Sequence, residues 1–141
     1  MNKKMHFALL LPIIAGLLLS ACSSGTSTPE LSDTNWKLEA YGPANDLVLA
    51  ADGIETSIKF GADGQVSGNL GCNGFGGDYK QDGTRLTFGP MMSTLMACPE
   101  PQMSQETISF SILNGNVEFR VDGDKLTIDG AGGNQLILVR Q

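Results

Sequence analysis

The chain has 141 residues, 41% of them hydrophobic, with 15 acidic against 9 basic side chains and a formal net charge of −6. That length fits one domain around a single core, and 17% charged residues beside 18 glycines and 6 prolines exclude a coiled coil or a long disordered chain. The acidic balance excludes an electrostatic nucleic-acid binder, which needs clustered Lys and Arg to neutralise phosphates.

Residues 1–21 read as a signal peptide. Lys3 and Lys4 precede an apolar run of 13 residues, Phe7 to Leu19, broken only by Pro12 and Gly16. The run is too short to cross about 30 Å of hydrocarbon as a helix, and it has the charged and apolar regions of a secretory signal. Leu19-Ser20-Ala21-Cys22 matches the bacterial lipobox. In that motif small residues precede a cysteine whose thiol accepts a diacylglyceryl group and which becomes the first residue after cleavage. The alternative is an ordinary signal peptide with an incidental cysteine. Ser23 after Cys22, where Asp would retain the protein at the inner membrane, points to the outer membrane of a Gram-negative host with the domain facing the periplasm. Palmitate-type acyl chains each contribute ~0.8 kcal/mol per buried CH₂, so the membrane is the expected partner of the lipidated N-terminus. Ser23 to Thr34 is rich in Ser and Thr without hydrophobic periodicity, so residues 22–34 read as the lipidated N-terminus and a flexible tether, and residues 35–141 as the domain.

Cleavage removes Lys3, Lys4 and His6, leaving 7 basic and 15 acidic side chains over 120 residues, a net of −8. His6 is the only histidine. The mature chain therefore has no imidazole for Ser-His-Asp or Cys-His catalysis or for a His-based metal site. No catalytic residue, metal or cofactor is expected.

From Asn35 onward the chain alternates as half-buried antiparallel strands do. Trp36 to Ala40 is the first such run, followed by Ser57 to Phe60, Gln65 to Asn69, Gly77 to Lys80, Arg85 to Phe88, Val117 to Val121, Lys125 to Asp129 and Gln135 to Arg140. Asp63-Gly64, Asp82-Gly83 and Asp122-Gly123 mark hairpin turns, because Asp-Gly steps tolerate positive φ. Leu136 to Val139 is continuously apolar, which predicts burial on both faces. Between Pro99 and Asn114, Met103, Glu106, Thr107, Phe110 and Leu113 recur at helical spacing, with prolines before and Gly115 after. The fold expected is mainly β: a small antiparallel barrel with one α-helix packed on it or plugging one end. An open α+β sheet is the alternative.

Once Cys22 is acylated, Cys72 and Cys98 are the only thiols left, and in an oxidising compartment pairing is the economical reading. A bridge closing their 26-residue separation contributes about 3.5 kcal/mol on the loop-entropy view. A reactive thiol is the rival reading. Gly68 to Gly77 has the composition of a phosphate cradle but not the register, and glycines bending a barrel corner explain it better. Asp122, Asp124 and Asp129 suggest calcium without its loop pattern and read as solvated turn acids. Met91, Met92, Leu95 and Met96 are assigned to core filling under the helix, with an adaptable apolar binding strip or soft metal site as the alternatives.

Together Trp36-Lys37-Leu38, Ile58 to Phe60, Val66-Ser67-Gly68, Gly71-Cys72-Asn73-Gly74-Phe75 with Gly77 and Tyr79, Thr94-Leu95-Met96-Ala97-Cys98-Pro99, Glu106 and Leu113 resemble the META domain of HslJ-like heat-shock lipoproteins. The resemblance spans nearly all of residues 35–141. It departs in the helix, where Phe110 lies four residues after Glu106 and the family usually has an aromatic three after the glutamate. It implies a small β-rich barrel with one helix and an envelope location. It also implies links to heat stress, to tolerance of novobiocin and, in parasite relatives, to motility or virulence; no enzyme activity comes with it. The placing of Cys72 and Cys98 in the two family motifs fits a shared bridge. The expected function is a lipid-anchored, non-enzymatic binding or stabilising role, possible partners including another envelope protein but no nucleic acid. The alternatives are an accessory subunit or inhibitor of another envelope protein, or a hydrolase using two carboxylates ~5 to 9.5 Å apart.

Overall fold

The computed structural model describes residues 28–141; the expected signal peptide and Cys22 lie outside the described residues. Its strands are β1 (Thr34–Pro43), β2 (Val48–Leu49), β3 (Ser57–Phe60), β4 (Gln65–Asn69), β5 (Gly74–Asp82), β6 (Arg85–Ser93), β7 (Gly115–Asp122), β8 (Lys125–Asp129) and β9 (Asn134–Arg140), with one helix, α1 (Gln102–Ile112), between β6 and β7. Neighbouring strands pair antiparallel from β3 through to β9, β1 joins β3, and β9 returns to β1, closing an eight-stranded barrel. β2 adds only Val48 and Leu49 beside Tyr41 and Ala40. The barrel with one helix is the expected class, and closure rules out the open α+β sheet.

Inward positions follow the period of two: Trp36, Leu38, Ile58, Phe60, Val66, Leu86, Phe88, Val117, Phe119, Leu126, Ile128, Leu136 and Leu138 form one buried cluster. Each large side chain so buried contributes roughly 1.5–3 kcal/mol. Ile137 is buried as well as Leu136 and Leu138, as the unbroken apolar run of β9 predicts, whereas Val139 at the end of that run is only half-buried. Curvature is introduced by irregularities between Leu38 and Ala40 against β9 and between Gly77 and Tyr79 against β6. At Gly68 a Cβ would lie 2.0 Å from the Ser57 carbonyl oxygen. The glycines thus serve close backbone approach at a bend, as expected.

The two ends of the barrel differ. At one end lie the turns after β3, β5 and β7, the start of β1 and Arg140, whose guanidinium stacks 4.4 Å from the Trp36 ring centroid. At the other lie α1, the loop between β4 and β5, and the end of β6. Leu31 is fully buried in the core cluster at the first end. Its N–H donates to Gln81 Oε1 (3.1 Å), Gln81 Nε2 donates to the Pro29 carbonyl (2.8 Å), and Thr34 Oγ1 donates to the Leu31 carbonyl. The expected tether is therefore corrected: Pro29 to Thr34 belong to the packed domain. A single leucine in a Ser/Thr-rich stretch offers no periodicity by which to detect this.

Helix α1 is shorter than Pro99 to Asn114, and it buries Gln105, Ser109 and Ile112. Met103 and Thr107 do not lie on that buried face. The cause is polar: Gln105 Nε2 donates to the Leu70 carbonyl (2.8 Å) and its Oε1 accepts from the Ala51 N–H (2.7 Å). A helix stoppering a barrel mouth must satisfy loop backbone groups, so a glutamine occupies a position that periodicity assigns to an apolar residue.

Replacing Leu31 by Ala removes the plug at the first end and is expected to lower stability by about 2–5 kcal/mol in urea unfolding of residues 28–141. A tether running to residue 34 predicts no change.

Candidate functional site

The motif residues Gly71 to Phe75 and Thr94 to Pro99 meet Glu106 at the helix end. Cys72 and Cys98 form a disulfide with Cα atoms 6.0 Å apart, tying the β4–β5 loop to the chain that runs from β6 into α1. In this bridge neither sulfur is a free thiol. Between these segments Asn73 is 95% buried and uses both ends of its amide. Its Oδ1 accepts from the Met96 N–H (2.7 Å) and Thr94 Oγ1 (2.8 Å), while its Nδ2 donates to the Met96 carbonyl (3.3 Å) and to Glu106 Oε1 (2.7 Å).

Glu106 completes the knot from α1. Its Oε2 accepts from the Cys72 N–H (2.8 Å) and from the Asn73 N–H. Charge-assisted bonds of this type are roughly twice as strong as neutral ones. They satisfy two donors of a loop that forms no ladder. Gly71 permits the approach, since a Cβ there would lie 2.5 Å from the Gln102 carbonyl oxygen. Asn69 closes the loop from its other side, accepting from the Gly71 N–H (2.8 Å) and donating to the Cys72 carbonyl (3.0 Å). The helix lacks a side-chain cap at Pro101; instead Glu100 Oε2 accepts from the Ser104 N–H (3.1 Å).

What this frame presents is apolar. Met92 is 80% exposed, Leu95 96% and Met96 54%, whereas Met91 is half-buried and packs on the core. The core-filling assignment is corrected for three of these four residues. The space under α1 is taken by Leu70, Ile112 and a Phe75–Phe110 contact with centroids 5.4 Å apart. The strip is held outside that space by the disulfide and by Asn73. Phe110, four residues after Glu106, makes its contact with Phe75 from the helix. A cavity of about 470 Å³ opens beside the strip between Phe88, Met91, Phe110 and Leu113.

The acids lie elsewhere. Asp129 pairs with Arg120 (2.5 Å) and accepts from Gln135 Nε2 (2.6 Å), and Asp124 faces Arg140 at 3.9 Å. Among the described residues no three His, Cys, Asp or Glu side chains gather as a metal site would require. Tyr41, at the helix end of β1, has its phenol pushed above the usual 10.0, first by burial and then by the Glu100 carboxylate. Tyr79 is raised too, chiefly by burial, with Glu30 and Asp63 adding to it and a Ser32 hydrogen bond opposing it.

A closed antiparallel barrel stoppered by one helix, with two motif loops joined by a disulfide and an Asn–Glu knot, defines the structural class. The chain belongs to the META domain family, whose profile matches residues 29–141. Its fold is similar to an NMR structure of a protein from Burkholderia xenovorans, with TM-score 0.67 and 23% identity over 79% of this chain and 83% of that one. A second NMR structure matches with TM-score 0.62 and 25% identity over 77% and 90% of the two chains. A crystal structure of a DUF4847 family protein from Bacteroides vulgatus matches with TM-score 0.53 and 17% identity over 77% and 93%. A search of curated proteins returns no match.

The knot has a directional test. Asn73→Asp sets a carboxylate against Glu106 and is expected to cost about 2–4 kcal/mol. Glu106→Gln alone places two amide donors face to face and costs about 1–3 kcal/mol. The double variant restores a donor between the two acceptors and should recover part of the loss, read by a double-mutant cycle in urea. Two independent, additive losses would remove the pairing.

Tyr41 predicts an alkaline limit. A phenol whose folded pKa exceeds its unfolded value contributes stability that is fully present below about pH 10 and is lost as pH rises through the folded pKa. Unfolding midpoints measured between about pH 8 and 11 should fall above pH 10, and Tyr41→Phe should flatten that fall.

Proposed function

We propose that the chain is a lipid-anchored bacterial envelope protein, attached through Cys22 to the outer membrane with its barrel facing the periplasm. Its role is to bind or stabilise another envelope component rather than to catalyse a reaction. The observation that carries this reading is the strip Met92 to Met96. Apolar side chains exposed to 96% cost solvation free energy unless a partner covers them, and here they ride on a segment fixed by a disulfide and a buried amide. The barrel geometry supports the orientation. Chain from residue 28 enters at the end marked by Leu31, opposite the strip, and the six residues from Cys22 to Ser27 reach at most ~20 Å. An anchored barrel on so short a lead holds the strip outward from the lipid surface.

The resemblance to HslJ-like lipoproteins supports a role in heat or envelope stress and in novobiocin tolerance. The protrusion of Leu95 also suits the second reading, an inhibitor or accessory subunit whose loop enters a partner's site. A carboxylate hydrolase draws less support, because Glu106 spends both oxygens on protein donors.

Three measurements test the proposal. Metabolic labelling with radioactive palmitate should mark the wild-type protein and not Cys22→Ala. A photo-crosslinking residue at Leu95 should capture one defined envelope protein in cells, and one at Lys80 on the barrel wall should not. Equal capture at both positions sinks the strip as the binding element. Deletion should raise sensitivity to heat and novobiocin, with Leu95→Asp failing to restore it.

A further inference from the structure

The β6 strand outruns its neighbour. Its pairing with β7 ends at Phe88↔Gly115, while its pairing with β5 continues through Met91↔Gly77, Met92↔Gly76 and Ser93↔Phe75. From Gly89 to Ser93 one edge of β6 therefore has no partner strand among the described residues. The direction of its free groups follows from the ladder. Thr94 donates its N–H to the Gly74 carbonyl (3.0 Å), and in an antiparallel pair alternate residues bond to the same neighbour. Met92 thus bonds toward β5, and Met91 and Ser93 aim their N–H and C=O groups away from it, at the open side. On that side lies the cavity of about 470 Å³, with Phe88 and Met91 on one flank and Phe110, Leu113 and Asn114 on the other.

From this geometry we infer that the edge of β6 from Gly89 to Ser93 takes an extended segment of a partner protein as an added strand, in line with β7. The inference rests on the binding role given to Met92 to Met96 and specifies the chemistry of the partner. The occupant is a polypeptide main chain because the free groups are alternating donors and acceptors at strand spacing, which an extended backbone matches and a lipid or sugar does not. Side chains alternate as well. The partner residue opposite Met91 faces inward to the apolar cavity, and the one opposite Met92 lies outward against that exposed thioether. The partner segment is thus about five residues long, free of proline at its bonding positions, with apolar residues in alternation. Pro90, in the irregular stretch opposite Asp78, shares the β5-facing phase of Met92, so its missing N–H takes nothing from the open side, where the groups of Met91 and Ser93 lie.

Random heptapeptides displayed on phage are the probe, selected on the immobilised mature chain from residue 22. Selected peptides are expected to show alternating apolar residues and, in NMR titration, to slow hydrogen exchange at the Met91 and Ser93 amides. Ser93→Pro removes an outward N–H that β5 does not use and should weaken binding at least tenfold. In case that variant unfolds, the same test is applied from the peptide side: N-methylation of alternate nitrogens should abolish binding in one register and spare it in the other. Failure to select any peptide, equal loss from both methylation registers, or protection confined to other amides overturns the inference. So does dimerisation of the free chain through this edge, which makes a second copy the occupant. Cellular cross-linking from Leu95 separates the two levels: undiminished capture of the same partner by a folded Ser93→Pro variant refutes strand addition and leaves the binding role standing, whereas no capture by the wild type removes both.

Discussion

Glu106 reaches across from the helix to two backbone N–H groups of a loop and one side-chain amide, and the arrangement of the helix end follows from that contact. Without it the Cys72 and Asn73 N–H groups would be buried unpaired, at a cost of about 1–3 kcal/mol each. With it Asn73 is held at the angle from which its amide bonds Met96 on both sides and Thr94 on one. The disulfide then spans segments that are already positioned. Helix, loop and strand extension behave as one unit, so the loss of any member should loosen the others more than its own contacts suggest.

Much of the barrel was legible in the residues because it depends on local alternation. Ser57–Phe60, Gln65–Asn69 and Lys125–Asp129 have the same limits in the sequence pattern and in the structure. Strands with glycine, proline or methionine at their ends, such as β5 and β6, run further than alternation shows, since backbone pairing continues after the side chains cease to alternate. β2 escapes notice because two exposed residues make no pattern. Leu31 and Gln105 are harder cases: one is an apolar residue in a polar stretch and the other a polar residue on a buried face, and each is explained only by what lies across the barrel from it. The motif residues Asn73 and Glu106 are conspicuous in sequence, but their mutual contact is a tertiary fact. The methionine strip was misassigned because composition cannot tell an apolar segment that fills a core from one tethered outside it.

The barrel is polarised. Among the described residues the large exposed apolar side chains Leu47, Val48, Leu49, Met92, Leu95, Met96 and Ile108 belong to β2 and its loop, the end of β6 and the segment after it, and α1. These elements share the helix end. A closed barrel has few edges to spare, and this one leaves Gly89 to Ser93 open beside its most exposed hydrophobic side chains.

The clasp around Leu31 has a mechanical consequence. A pull on the chain ahead of residue 29 meets the Gln81 amide, bonded to the Pro29 carbonyl and the Leu31 N–H, before it reaches β1. Those bonds and the leucine plug would be drawn out first and could re-seat when the load falls, leaving the strand ladder unbroken. Opening the clasp adds only the few residues it releases to the chain ahead of β1, and β1 is the next element to carry the load.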